Sequence, residues 1–228
     1  MELKSLVQLE KAKLEDTLID ILYHKYKDLV FHGGTCIWRC YGGNRFSRDI
    51  DFYLKADTDD ERMRSYHETS EFLKEYKFAM KEKGYNRSNN TMHFLVESNV
   101  KMKVDINFNY KKGEPVEYTR VDGSKITVLS LLPLQLLNEK IDAYTDKLEN
   151  AGRFKQPEAQ DLYDMYQLVQ LVSKHDKATA KRLLHLMARI ENEPPADMAS
   201  LGSVIISGVP PSLELMLKRI REWSNACD

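Results

Sequence analysis

The sequence is poor in cysteine and contains no long hydrophobic run. Three cysteines among 228 residues are an odd number and exclude a disulfide framework. The most apolar stretch, residues 126–137, is interrupted by polar residues and falls short of the ~18 apolar residues that a membrane span requires. The N-terminal residues alternate charged with apolar side chains and lack the apolar block of a signal peptide. These absences predict a soluble cytoplasmic protein with no membrane partner.

Neither sign of charge dominates the sequence either. It has 34 Lys and Arg against 35 Asp and Glu, which gives a net charge of −1. A near-neutral chain is a poor candidate for non-specific wrapping of duplex DNA. Apolar residues make up 42% and charged residues 30%, which is typical of a folded globular protein, and the length allows one domain with an appendage or two small ones.

The hydrophobic pattern changes along the chain, from one that predicts both helices and strands to one that predicts helices alone. The first part predicts helices over residues 2–28, 35–41 and 57–83, strands over 29–31 and 50–54, and hairpins over 91–97/100–108 and 116–120/125–128. The second part predicts helices over 133–150, 157–173, 176–191 and 211–225, with a loop over 193–211. We therefore expect an α+β domain with a mixed sheet at residues 1–130 and a helical domain at 131–228.

Three carboxylates are candidates for a metal site. Asp49 and Asp51 are two residues apart on a predicted strand, so their side chains project from the same face. Asp105 lies on the polar face of another predicted strand and can supply a third carboxylate. Carboxylates together with substrate phosphates are the usual ligands of Mg²⁺.

A glycine turn precedes these carboxylates. Gly33 and Gly34 have no Cβ, so a phosphate can approach their backbone N–H groups, and the N-terminus of the following helix favours negative charge. The Thr35 hydroxyl can add a hydrogen bond. Arg45 and Ser47 lie between this turn and the carboxylates, where Arg45 can bind phosphate or a carboxylate and Ser47 can cap a turn or act in the site.

The combination resembles a known family. Gly33-Gly34-Thr35 followed by Gly-x-Arg-x-Ser-x-Asp-Ile-Asp-Phe at residues 43–52 is similar to the AbiEii/AbiGii toxin family of nucleotidyltransferases, in the DNA polymerase β-like superfamily. Residues 137–143 and 161–166 also resemble family motifs, so the similarity covers residues 28–170. One departure is Gln160, where members usually carry Lys or Arg.

The resemblance implies a polymerase β-like fold and a role for each matching residue. Asp49 and Asp51 would be metal ligands with Asp105 as a third acidic residue, and Lys140 would reach the phosphates of the nucleotide. Asp161 and Asp164 share a helix face and would orient Lys140 or Arg45, or assist catalysis. The alternatives are a surface lysine at 140 and a buried structural pair at 161 and 164.

The predicted reaction is transfer of a nucleoside monophosphate from an NTP, with Mg²⁺, or alternatively Mn²⁺, as cofactor. The resemblance implies an acceptor such as the tRNA 3′ end, another RNA or a protein side chain, and a toxin that has an antitoxin partner. Two alternatives share the motif: an inactive nucleotide- or RNA-binding scaffold, and a small-molecule nucleotidyltransferase of the antibiotic-modifying kind.

A basic stripe on the predicted helix 176–191 and just before it is a separate candidate for RNA contact. Its residues recur at helical spacing and comprise Lys174, Lys177, Lys181, Arg182, His185 and Arg189. The stripe predicts either a surface that contacts an RNA backbone or an ordinary solvated helix face.

Overall fold

The computed structural model describes residues 3–150, 156–173 and 176–226. Lys174 therefore lies outside the described residues. The chain forms two compact units, one of Met1–Gly42 with Phe46–Leu131 and one of Gly43–Arg45 with Leu132–Asp228.

The first unit contains three helices and a seven-stranded sheet in its described part. The helices are α1 (Leu6–Lys25), α2 (Gly33–Tyr41) and α3 (Asp59–Glu75). The strands are β1 (Val30–His32), β2 (Asp49–Tyr53), β3 (Ala79–Asn86), β4 (Thr91–Glu97), β5 (Lys101–Asn107), β6 (Glu114–Thr119) and β7 (Lys125–Ser130). Their order in the sheet is β3-β4-β5-β2-β1-β7-β6. The sheet is mixed, because β2 runs parallel to β5 and β1 parallel to β7 while the other pairs are antiparallel.

The two faces of the sheet differ in polarity. On one face apolar side chains of the central strands are fully buried, and α1 and α3 cover them through contacts such as Tyr23 with Phe52 and Tyr66 with Phe94. On the other face β5 presents Lys101, which is exposed, and Asp105, which is half-buried. The period-two pattern of β5 thus gives one core face and one polar face, and it confirms the predicted α+β class.

The predicted helix 57–83 is wrong in its second half. Thr58 and Glu61 form a capping box that starts α3 as expected, but α3 ends at Glu75. Lys77 then adopts a left-handed backbone conformation with φ of 61°, which interrupts a helix. Residues 79–86 instead form β3, whose backbone pairs with β4 from Ala79 opposite Glu97 to Asn86 opposite Thr91. Antiparallel pairing with the next strand along the chain therefore overrides the local preference for helix.

The remaining predicted elements of this unit are confirmed within a few residues. The hairpin of β4 and β5 spans Thr91–Glu97 and Lys101–Asn107, and that of β6 and β7 spans Glu114–Thr119 and Lys125–Ser130. The N-terminal helix is shorter than predicted because Ser5 accepts a hydrogen bond from Gln8 and caps it there.

The second unit is helical. It contains α4 (Pro133–Glu149), α5 (Ala159–Leu168), α6 (Lys177–Asn192), α7 (Leu201–Val204) and α8 (Leu213–Asn225), with a 3₁₀ turn over Met198–Ser200. The predicted loop 193–211 is therefore partly wrong, since it contains α7 and the 3₁₀ turn. Among the described residues of the chain, no helix has the length and apolar character to cross a membrane.

Candidate active site

One row of side chains crosses the polar face of the sheet in the first unit. Backbone register places Gly84 of β3 opposite His93 of β4, His93 opposite Asp105 of β5, Asp105 beside Asp51 of β2, and Asp51 opposite His32 of β1. Residues in register on neighbouring strands point to the same face, with Cβ atoms ~5 Å apart. We call these five residues the polar row. It brings together Asp51 and Asp105, which are far apart in sequence.

The glycine turn lies directly against this row. Gly33 has a φ of +76°, a conformation that L side chains rarely adopt. A Cβ there would overlap the Asp51 carboxylate, with Oδ2 as its nearest atom. Glycine is therefore required at position 33 both by the backbone and by the close approach of Asp51.

The turn also starts α2. The N-cap residue His32 provides no side-chain hydrogen bond to the first helical N–H groups. Gly34 is half-buried in this first turn. Thr35 is fully buried, and its hydroxyl donates a hydrogen bond of 2.6 Å to the backbone carbonyl of Asp49. Thr35 thus anchors the start of β2 against the start of α2.

A lysine outside the sequence motifs lies among the carboxylates. Lys103 of β5 is in register with Asp49, and its Nζ donates to Asp105 Oδ2 at 2.5 Å. Partial burial would lower the pKa of Lys103, but the hydrogen bond to Asp105 and the charges of Asp105, Asp49 and Asp51 raise it. The period-two pattern of β5, which carries Lys103 two residues before Asp105, could have placed it on this face.

The carboxylates fit a Mg²⁺ ion in kind and in part of their arrangement. Asp105 Oδ1 is buried and has no hydrogen-bond partner, which leaves an oxygen available to a cation. Asp51 is its neighbour in the polar row, whereas Asp49 is exposed and lies one row away beside Lys103. In the residues described, no group of three or more His, Cys, Asp or Glu side chains gathers as a metal site. Two carboxylates that are completed by substrate phosphates are nonetheless an ordinary Mg²⁺ arrangement.

The other predicted site residues lie in the second unit, where they form an ionic network. Its members are Arg45, Lys140, Lys147, Glu158, Asp161 and Asp164. Arg45 makes a bidentate pair with Asp164, at 2.8 Å from Nε to Oδ1 and 2.6 Å from Nη2 to Oδ2. Lys140 Nζ contacts Asp161 Oδ1 at 2.9 Å and Asp164 Oδ2 at 2.8 Å. Three positive and three negative groups thus balance one another.

Burial and pairing act on these groups in opposite directions. Burial alone would raise the pKa of Asp161 and Asp164, but adjacent cations hold both pKa values below the usual value. The cations beside Asp161 are Lys140 and Lys147. Those beside Asp164 are Arg45 and Lys140. Burial would likewise lower the pKa of Lys140, while Asp161 and Asp164 raise it. All three groups are therefore charged near neutral pH.

Gln160, the departure from the family pattern, has a defined role in this network. Its Oε1 accepts a hydrogen bond of 3.0 Å from Arg45 Nη1.

The network also contains a lysine that no motif predicted. Lys147 contacts Asp161 Oδ2 at 2.5 Å and Glu158 Oε2 at 2.9 Å. Lys147 follows Lys140 by two helical turns on α4, and this heptad spacing could have indicated a shared face. Ser47, in the first unit, is buried.

The basic stripe faces carboxylates on a neighbouring helix. A groove of about 410 Å³ between α4 and α6 is lined by Lys181, His185 and Arg189 on one side and by Asp146 on the other. Arg182 pairs with Asp142, and Arg189 lies 3.8 Å from Glu149. The acids of α4 offset the positive charge counted on α6 alone, which favours the alternative of an ordinary solvated face.

Solved structures with similar folds cover nearly the whole chain. JHP933 from Helicobacter pylori has a TM-score of 0.66 at 17% identity, covering 98% of this chain and 92% of that one. MenT4, the nucleotidyltransferase toxin Rv2826c from Mycobacterium tuberculosis H37Rv, has a TM-score of 0.55 at 17% identity, covering 97% and 89%. A comparison with curated protein sequences gives no match. The fold is therefore that of nucleotidyltransferase toxins.

The sequence itself matches a family over most of its length. Residues 20–218 match the family described as nucleotidyl transferase AbiEii toxin, type IV toxin–antitoxin system. The chain belongs to this family, as the sequence motifs predicted, and it is a nucleotidyltransferase.

Proposed function

We propose that this nucleotidyltransferase moves a nucleoside monophosphate from an NTP to a hydroxyl at the 3′ end of an RNA, with tRNA as the first candidate. The observation that carries the proposal is the pairing of Asp51 with Asp105 in the polar row, directly beside the Gly33 turn. It supports a triphosphate site because two carboxylates and the N-terminus of a helix meet there.

The first unit would position the nucleotide through its backbone. The N–H groups of Gly33 and Gly34 and the N-terminus of α2 would hold phosphate oxygens, and the side chain of the N-cap residue His32 does not cap this helix. Thr35 would act by fixing Asp49 through its carbonyl, at 2.6 Å, rather than by touching phosphate. Arg45 and Lys140, predicted as phosphate contacts, have their cations paired with Asp164 and Asp161 in the second unit.

Asp51 and Asp105, with Asp49 as a third donor, would hold Mg²⁺, and Mn²⁺ is the alternative. The bound ion would supply neutralisation of charge on the triphosphate. In the reaction the acceptor oxygen forms a bond to the α-phosphorus, the bond from that phosphorus to the β-phosphate oxygen breaks, and pyrophosphate leaves. The Asp105 carboxylate, beside the bound ion, would receive the proton of the acceptor hydroxyl.

A cytoplasmic location and an antitoxin partner complete the proposal. NTPs and tRNA are both available in the cytoplasm, and the family is described as the toxin of a type IV toxin–antitoxin system.

The proposal is tested by incubating the protein with each α-labelled NTP, Mg²⁺ and purified tRNA. We expect label on RNA and release of pyrophosphate, and loss of both in Asp49→Ala and Asp51→Ala. The matched control is Asp60→Ala, which removes an exposed carboxylate of α3. Transfer that persists in both site variants would contradict the site, and label on protein would contradict the acceptor.

A further inference from the structure

The polar row has two chemically different ends. At one end His32 is followed by the Gly33 turn and the start of α2. At the other end His93 lies beside Asp105 on β4, with Gly84 beyond it on β3. The carboxylates of Asp51 and Asp105 lie between these ends.

This order sets a direction for the proposed reaction. In phosphoryl transfer the attacking and leaving oxygens lie roughly in line on opposite sides of the reacting phosphorus. If the Gly33 turn holds the departing pyrophosphate and the carboxylates hold the α-phosphate, the acceptor must enter from the β4 end. The side chain at that end of the row is His93.

Local structure around His93 favours contact with a ligand. The residue is half-buried on the polar face, and its imidazole makes no hydrogen bond or ion pair with the residues described. The ring lies over Gly84, where an added Cβ would be 2.6 Å from Cε1 and 2.9 Å from Nε2. Gly84 is therefore the residue that leaves room for the ring, and a neutral imidazole offers one donor and one acceptor to a ribose or phosphate group.

We infer that His93 contacts the acceptor RNA at its 3′ end and that Gly84 provides the space for the imidazole. His93 is thus an acceptor-binding residue, separate from the groups that hold the NTP. The inference rests on the proposed function, because it needs the triphosphate to lie at the Gly33 turn.

The test separates the KM for RNA from the KM for NTP, with purified tRNA and labelled NTP as the probes. For His93→Ala we expect the KM for tRNA to rise about tenfold, because one hydrogen bond to the RNA is lost. The KM for NTP should be unchanged. His93→Gln, which keeps a donor and an acceptor, should recover part of the loss. Gly84→Ala should raise the KM for tRNA as well, since the new methyl displaces the ring.

The matched control is His67→Ala, which removes an exposed histidine from α3, the helix on the apolar face of the sheet. Unchanged KM for tRNA in His93→Ala, or an equal rise in both KM values, would overturn the inference and leave the proposed function intact. Absence of any transfer to tRNA by the unaltered protein would overturn the proposed function, and this inference with it.

Discussion

The polar row and the ionic network both consist of charged side chains, but they differ in how those charges are satisfied. In the ionic network Asp164 is 2% exposed and both its oxygens are bonded to cations. In the polar row Asp105 keeps a buried oxygen without a partner and His93 has no partner among the described residues. Polar groups without a partner in the fold can still bind a ligand, whereas a closed network is committed to the fold.

The largest effect should come from the polar row. Asp51→Asn keeps the shape of the side chain but removes its charge. We therefore expect the rate of nucleotide transfer to fall about a thousandfold, which corresponds to the several kcal/mol by which a metal ion stabilises the transition state. The midpoint of urea unfolding should stay close to that of the unaltered protein, because Asp51 is only half-buried. A large loss of stability without loss of transfer would reverse the roles assigned to the two groups.

The ionic network should show the opposite behaviour. Arg45→Met leaves the buried Asp164 carboxylate without its bidentate partner and should lower the free energy of unfolding by about 3–5 kcal/mol. Adding Asp164→Leu should recover part of this loss, because the unpaired charge is removed as well. Urea titration of the single and double variants measures the coupling, and additive losses would contradict a direct interaction.

The pairing within the network also predicts how stability depends on pH. The pKa of Asp164 is lowered in the folded protein, so its contribution is present above the ordinary value of 3.8 and lost as the pH falls through the lower folded value. Urea midpoints between pH 6 and about 2 should drop less in the double variant than in the unaltered protein.

Two glycines with positive φ give a finer test at the Gly33 turn. Gly123→Ala meets open space at φ +86°, so it should cost only the backbone strain of ~1 kcal/mol. Gly33→Ala has a similar φ but also displaces Asp51, so it should cost more and reduce nucleotide transfer. Equal losses of stability, with transfer unaffected in both variants, would mean that the contact with Asp51 is unimportant.

Glu15 of α1 is a carboxyl outside both groups. It is fully buried, both its oxygens lack hydrogen-bond partners, and burial raises its pKa well above the ordinary value of 4.5 against the opposing charge of Arg39. A raised pKa means that its contribution to stability is present at low pH and lost as the pH rises through the folded value. Glu15→Gln should therefore stabilise the protein by about 1 kcal/mol at pH 8 and have little effect near pH 4, as measured by urea unfolding.

Much of the polar row could be predicted from the sequence because it depends on strand periodicity. The alternation in β5 placed Asp105 on the polar face, and the β4–β5 hairpin fixed the register that brings His93 opposite it. The strand β3 could not be predicted, since residues 79–83 favour a helix locally and become a strand only through pairing with β4. The partners of Lys147 and Gln160 were not predicted, because tertiary packing sets them. The heptad spacing from Lys140 could have placed Lys147 on the same helix face, but it does not identify Asp161 as its partner.

The segment Gly43–Arg45 belongs to the helical unit although the chain on both sides of it belongs to the sheet unit. Arg45 forms a β-bridge with Ile205, and Asn44 accepts a hydrogen bond from the backbone of Ile206. A truncated chain that begins after Leu131 would consequently lack a tripeptide that completes the helical unit. Attempts to express that half alone would leave Asp164 without its guanidinium, so dissection by truncation should yield poorly folded material unless the tripeptide is grafted back.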